Sequence, residues 1–109
     1  MTSRDEMMQR MRAGKRIETN GRVLRAINLM CYKYERLIDV QYALYDVEEA
    51  LYLDSINYLY EAGYIKLRRI DNRAAAGIED DDWTDLEAKL TEKGICLLDG
   101  LIIDKMVKA

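Results

Sequence analysis

The sequence predicts a mainly helical fold with a small β-hairpin, and three observations predict it. Residues 46–70, DVEEALYLDSINYLYEAGYIKLRRI, read as a helix, a glycine turn and a strand. Residues 85–90, DLEAKL, alternate apolar and polar as a returning strand should. On either side of this unit, residues 19–34 and 91–102 repeat apolar side chains at helical spacing.

The central unit comes first because the rest of the chain is arranged around it. Asp46 can accept from the free amides of a helix start, and Glu49 follows three residues on, a capping box with Asp in the Ser/Thr place. Val47, Ala50, Leu51, Ile56 and Leu59 then recur close to helical spacing. Gly63 ends the helix, since glycine alone enters the left-handed region without a Cβ penalty. In the strand that follows, Ile65 and Leu67 share one face, and Lys66 and Arg68 the other.

Upstream, residues 1–18 form a basic arm, flexible or exchanged with a second subunit, and residues 19–109 form the folded domain. The arm carries Met7, Met8 and Met11 among charges, and Gly14 is expected to break any helix there. Thr19 or Asn20 caps the first helix, which runs to about Tyr34 with Val23, Leu24, Ile27, Met30, Cys31 and Tyr34 on its apolar face. Asp39 caps a short second helix that ends near Tyr45 and hands almost directly to the third, as in a helix-turn-helix. Downstream, residues 71–85 hold Gly77 and a carboxylate run and read as a long loop. Thr91 caps a last helix whose buried face carries Ile95, Leu98, Leu101 and Ile102, with Leu97 at its margin.

Composition narrows the function classes. Histidine and proline are both absent, so the commonest general base near neutral pH is missing. No nucleophile setting or phosphate loop takes its place, and an enzyme is not expected; nor is a small-molecule substrate or a cofactor. The two cysteines, Cys31 and Cys96, sit in apolar patterns and read as small buried hydrophobes; without a histidine they do not complete a zinc site. The run Glu79, Asp80, Asp81, Asp82 lacks the ligand alternation and central glycine of a calcium loop, so no metal is expected. No apolar run approaches the ~20 residues that span a bilayer, and the N-terminus lacks the apolar stretch of a signal peptide. A cytoplasmic location without membrane association is expected.

Net charge is −3, but its distribution says more. The arm supplies Arg4, Arg10, Arg12, Lys15 and Arg16, and the strand adds Lys66, Arg68 and Arg69. Together these form the candidate nucleic-acid surface, because lysine and arginine can track a phosphate backbone. Residues 35–63 are acidic, with Arg36 their one cation. All eight tyrosines fall between Tyr32 and Tyr64. A tyrosine buries its ring and keeps its hydroxyl wet, which suits either a half-buried core rim or an interface. Tyr42, Tyr45 and Tyr52, with Glu48 and Glu49, form the candidate protein interface. Trp83 either folds back over the hairpin or joins that interface as an exposed anchor.

The order of elements, together with INYLYEAGYIKLRR at residues 56–69 and AKLTEKGICLLDGLI at residues 88–102, resembles the winged helix-turn-helix superfamily, including small phage and prophage proteins. The resemblance spans residues 20–103. It implies a three-helix core, a two-stranded wing and a C-terminal helix. It also implies DNA as one partner, read by the third helix. By that correspondence the outward positions are Glu48, Glu49 and Tyr52, then Asn57 and Glu61, and the wing tip is the run from Glu79 to Asp82. Both surfaces would be acidic, which opposes a DNA backbone carrying one negative charge per ~1.7 Å. The first expectation is therefore a regulatory or accessory protein acting through protein contacts. The alternative is a DNA-binding transcriptional regulator using the arm and the wing strand. A homodimer built from the first and last helices is expected, because Met7, Met8, Met11, Met30 and Met106 exceed what a three-helix core needs.

Overall fold

The computed structural model describes residues 3–79 and 82–109, and it is mainly helical with a three-stranded antiparallel sheet. Helix α1 (Ser3–Ile27) leads through a short 3-10 turn (Asn28–Met30) to strand β1 (Glu35–Arg36). Helices α2 (Leu37–Ala43) and α3 (Glu49–Glu61) follow, then strand β2 (Ile65–Arg69). A second 3-10 turn (Trp83–Asp85) precedes strand β3 (Leu86–Leu90), and helix α4 (Glu92–Leu98) closes the order. The strands lie in the order β1-β3-β2.

The central unit forms as its residues predict, with one change at its start. Gly63 takes φ 83, and β2 buries Ile65 and Leu67. The expected capping box is absent: α3 starts at Glu49 with Glu48 at the cap position and no side-chain cap bond. Asp46 instead receives both terminal nitrogens of Arg22 at 2.9 Å, since a bidentate guanidinium outcompetes a backbone amide for the same oxygens.

Strand β3 pairs with β2 from Leu86 opposite Arg69 to Leu90 opposite Ile65, and buries Leu86, Ala88 and Leu90. On its other side it takes β1, a two-residue strand that the sequence pattern does not announce. Thr91 caps α4 as expected, its hydroxyl accepting from the Gly94 amide.

Helix α1 departs most from expectation. It is continuous through Gly14, and Thr19 and Asn20 lie buried in its middle rather than capping its start. One glycine lowers helix stability by about 1 kcal/mol, which a 25-residue helix anchored by its packed second half tolerates. The helix ends at Ile27 rather than near Tyr34, and Cys31 follows with φ 59. Cys31 is exposed and Cys96 half-buried, so neither behaves as a core residue. Asp39 sits inside the first turn of α2, whose cap position is Arg36.

The core joins the second half of α1 (Val23, Leu24, Ile27) to α3 (Ile56, Leu59) and to the inner face of the sheet. Leu51, Leu98 and Ile102 pack at its edge, partly buried. Helix α4 stops at Leu98 because Gly100 takes φ 78, so Ile102 lies beyond it. Its buried residue is Leu97, while Ile95 and Leu101 are exposed, a rotation from the expected face.

Beyond Gly100 the chain lies back across α1 and α3. Val107 is buried, the Lys108 amide donates to the Ile17 carbonyl at 3.3 Å, and the Arg25 guanidinium donates to the Lys108 carbonyl at 2.9 Å. Gly21 makes this crossing possible, because a Cβ there would overlap the Lys108 carbonyl. The Asp104 carboxylate accepts from the hydroxyls of Tyr58 and Tyr64, each at 2.7 Å.

No helix among the described residues is long and apolar enough to cross a membrane.

Candidate interaction surfaces

The expected protein interface divides into an exposed part and a buried part. Tyr42 and Tyr45, 84% and 89% exposed, stand with exposed Glu48 and Glu49 at the corner between α2 and α3. Tyr52 is fully buried, and its hydroxyl donates to the Leu37 carbonyl at 2.6 Å. Burial raises its phenol well above the ordinary range. Trp83 is half-buried and meets Tyr52 edge-on at 5.9 Å between ring centroids. It therefore folds back over the core with part of its ring exposed, while Tyr52 is closed to any partner. The reason is the rotation of α3: Tyr52, Ser55, Ile56 and Leu59 form its buried stripe, so Tyr52 points inward.

A shallow cleft of about 280 Å³ lies beside this corner, between α1 and the start of α3. Lys15, Glu18, Arg22, Asp46 and Glu48 line it. The hydrogen bond from Arg22 holds the Asp46 carboxyl below its usual range, and the same bond raises the guanidinium. Arg22 and Asp46 satisfy one another here.

The basic residues form two separate groups. Arg4, Arg10, Arg12 and Lys15 are exposed on the first half of α1, with no ion pair among the described residues. Arg16 pairs with Asp54 of α3 at 3.1 Å. On β2, Arg68 pairs with Glu87 at 2.5 Å and lies 3.5 Å over the Tyr34 ring, and Arg69 pairs with Asp71 at 2.9 Å. Of the expected strand set only Lys66 is left without a carboxylate among the described residues.

The register adds residues that sequence reading missed. Lys89 stands directly opposite Lys66, and Glu87 stands between Arg36 and Arg68, so the outer face of the sheet carries four cations and one carboxylate, with Arg68 and Lys89 near the Tyr34 ring. The signal was present in DLEAKL: if Leu86, Ala88 and Leu90 face inward, Glu87 and Lys89 face out.

The turn that follows β2 is not made by the carboxylate run. The chain turns at residues 70–73 and folds back along β2, so that Ala75 bridges Arg68. The tip carries Asp71, Asn72 and Arg73, with Arg73 at φ 59. Glu79 is exposed, and Asp82 accepts from the amide and hydroxyl of Thr84 at the start of a 3-10 turn. Those bonds hold its carboxyl low. Asp80 and Asp81 lie outside the described residues. Among those described, no group of three or more acidic or thiol side chains is placed to hold a metal ion.

Comparison with protein-family models, with curated proteins and with solved structures finds no match for this chain.

Proposed function

We propose that this is a small, non-catalytic winged-helix protein of regulatory or accessory type, of the kind carried by phages and mobile elements, acting in the cytoplasm through protein–protein contacts. One observation carries the reading. The first half of α1 leaves the packed body as exposed helix, with Met7 62% and Met11 67% exposed on it. Exposed methionines on a projecting helix are costly for solubility and well suited to docking, because the thioether adapts to irregular apolar partners. The exposed corner of Tyr42, Tyr45, Glu48 and Glu49 offers a second contact surface. The winged-helix assignment is supported by the brief link between α2 and α3 and by the pairing of β2 with β3. Against major-groove reading stands the charge of α3, whose exposed residues include Glu49, Asp54 and Glu61.

The test places a photo-crosslinking amino acid at Met7 or Met11, and separately at Tyr42 or Tyr45, in the full chain inside its native cells. Discrete protein adducts are expected. Adducts confined to nucleic acid would overturn the reading.

DNA binding through the arm and the wing strand is the second reading, and a specific observation favours it. Lys66 and Lys89 face each other across two strands, a like-charge pair that destabilises a sheet unless something anionic covers it. The exposed arm residues Arg4, Arg10, Arg12 and Lys15 would add phosphate contacts.

A further inference from the structure

The projecting half of α1 has a stripe with a definite spacing. Arg4, Met7, Met11, Gly14 and Glu18 are separated by three, four, three and four residues, the interval at which one helix meets another along a seam. Met7 and Met11 form its apolar centre, and exposed Met8 widens it. A shallow groove bounded by Met8, Met11, Arg12 and Lys15 lies on the same side. The stripe is open to solvent: from Ser3 to Arg16 every residue is exposed.

Charge is polar along the same segment. Asp5 and Glu6 sit in the first turn, while Arg10, Arg12, Lys15 and Arg16 follow with no acidic residue between them. A second arm lying parallel would set acid on acid and base on base. A second arm lying antiparallel sets each acidic turn beside the other's basic turns.

We infer that the partner of this helix is a second copy of the chain, and that two arms pair antiparallel about an axis beside Gln9. The inference rests on the protein-contact reading above and names the partner. In this register Met7 of each copy lies on Met11 of the other. Arg4 falls in the layer of the second copy's Gly14, where the missing side chain leaves room for the arginine stem. Asp5 comes level with the stretch from Arg12 to Lys15 of the other copy, and Met8 enters the other copy's groove.

The length of the arm fits the same register. Residues 3–16 extend about 21 Å at ~1.5 Å per residue. About Gln9, Ser3 pairs with Lys15, two residues short of Ile17, where the helix begins to bury against its own body. The two bodies therefore lie beyond opposite ends of the pair. The acidic turn of each arm also reaches the Arg10–Arg16 stretch without needing any change in either body.

The experiment uses the full chain. Sedimentation over a range of micromolar concentrations should give a mass approaching twice 12.7 kDa. Met7→Lys with Met11→Lys should return it to a single chain while the thermal melt of the body stays unchanged. Geometry is then read by cross-linking in a Cys31→Ser, Cys96→Ser background. Met7→Cys mixed with Met11→Cys should form a mixed disulfide on oxidation, and neither variant alone should self-link. A single-chain mass at every concentration, a dimer that survives the two lysines, or self-linking of Met7→Cys would each overturn the inference. A single-chain mass alongside Met7 or Met11 adducts to a different protein would leave the protein-contact reading standing.

Discussion

Asn20, in the middle of α1, accepts a hydrogen bond from the Ser55 hydroxyl in the middle of α3, and both side chains are buried. The Asn20 amide also donates to the Met106 carbonyl at 2.9 Å. One side chain thus ties together two helices and the returning C-terminal segment. An asparagine is the economical choice at this junction, because it presents an acceptor and a donor from one planar group.

Asn20→Leu should lower stability by about 1–3 kcal/mol, because it strands the Ser55 hydroxyl and the Met106 carbonyl without partners. Combining it with Ser55→Ala should recover part of the loss. Urea denaturation of the single and double variants measures both. If Asn20→Leu is neutral, the junction does not hold the helices together.

Leu59 is fully buried where α3 meets α1 and the sheet. Leu59→Ala should lower stability by about 2–5 kcal/mol, enough to unfold a small domain of marginal stability. Leu101→Ala, at an exposed position, should leave the melting temperature within error. Equal effects from the two would contradict the core described above.

The C-terminal segment should loosen in alkali. Burial, and then the bond to Asp104, push the Tyr58 and Tyr64 phenols up to about 12 from 10.0. A folded-state value above the unfolded one means a contribution fully present below about pH 10 and lost as pH rises toward about 12. Asp104 works in the opposite sense. Burial acts to raise its carboxyl, but bonds from Tyr64, Met106 and Tyr58 outweigh that and lower it, so its contribution fades only in acid, below its ordinary 3.8. Thermal melts between neutral pH and about 12 should show the alkaline decline, and Asp104→Ala should reduce it without removing it, since burial is the larger cause.

Gly21→Ala should displace the same segment by another route, since the new Cβ meets the Lys108 carbonyl. Amide exchange should quicken at Val107 and Lys108 while the sheet stays protected. Unchanged exchange at Val107 would mean that the crossing does not depend on the glycine.

DNA affinity, where measured, should come from phosphate contacts. Deleting residues 1–16 should abolish it, and Lys66→Ser with Lys89→Ser should weaken it and reduce its salt dependence. Glu48→Gln with Glu49→Gln should leave it unchanged or strengthen it. Tight, sequence-selective binding that survives the deletion and is lost with the two glutamines would establish reading by α3 despite its charge. A titration on promoter DNA at two salt concentrations separates these outcomes.

What the sequence determined by itself was local. Gly63 stopping a helix, Thr91 starting one, and the alternation of Leu86, Ala88 and Leu90 all follow from single-residue chemistry and short-range periodicity, and all appear in the structure. Val23, Ile27, Ile56, Leu59, Ile65, Leu67 and Leu90, each on the apolar face of its own element, are buried, while Leu51, Leu98 and Ile102 pack partly buried at the edge of the core. What only the tertiary structure decided depended on partners distant in the chain. Asp46 left its helix because Arg22, 24 residues away, was the stronger donor. Asn20 moved from a cap to the interior because Ser55 and Met106 supplied its hydrogen bonds there. Glu35 and Arg36 became a strand because β3 left an edge free to pair. Tyr52 went inward because its hydroxyl found the Leu37 carbonyl, and Lys89 joined Lys66 through strand register alone. Polar side chains have several satisfactory local uses, and the fold chooses among them by what it brings within reach.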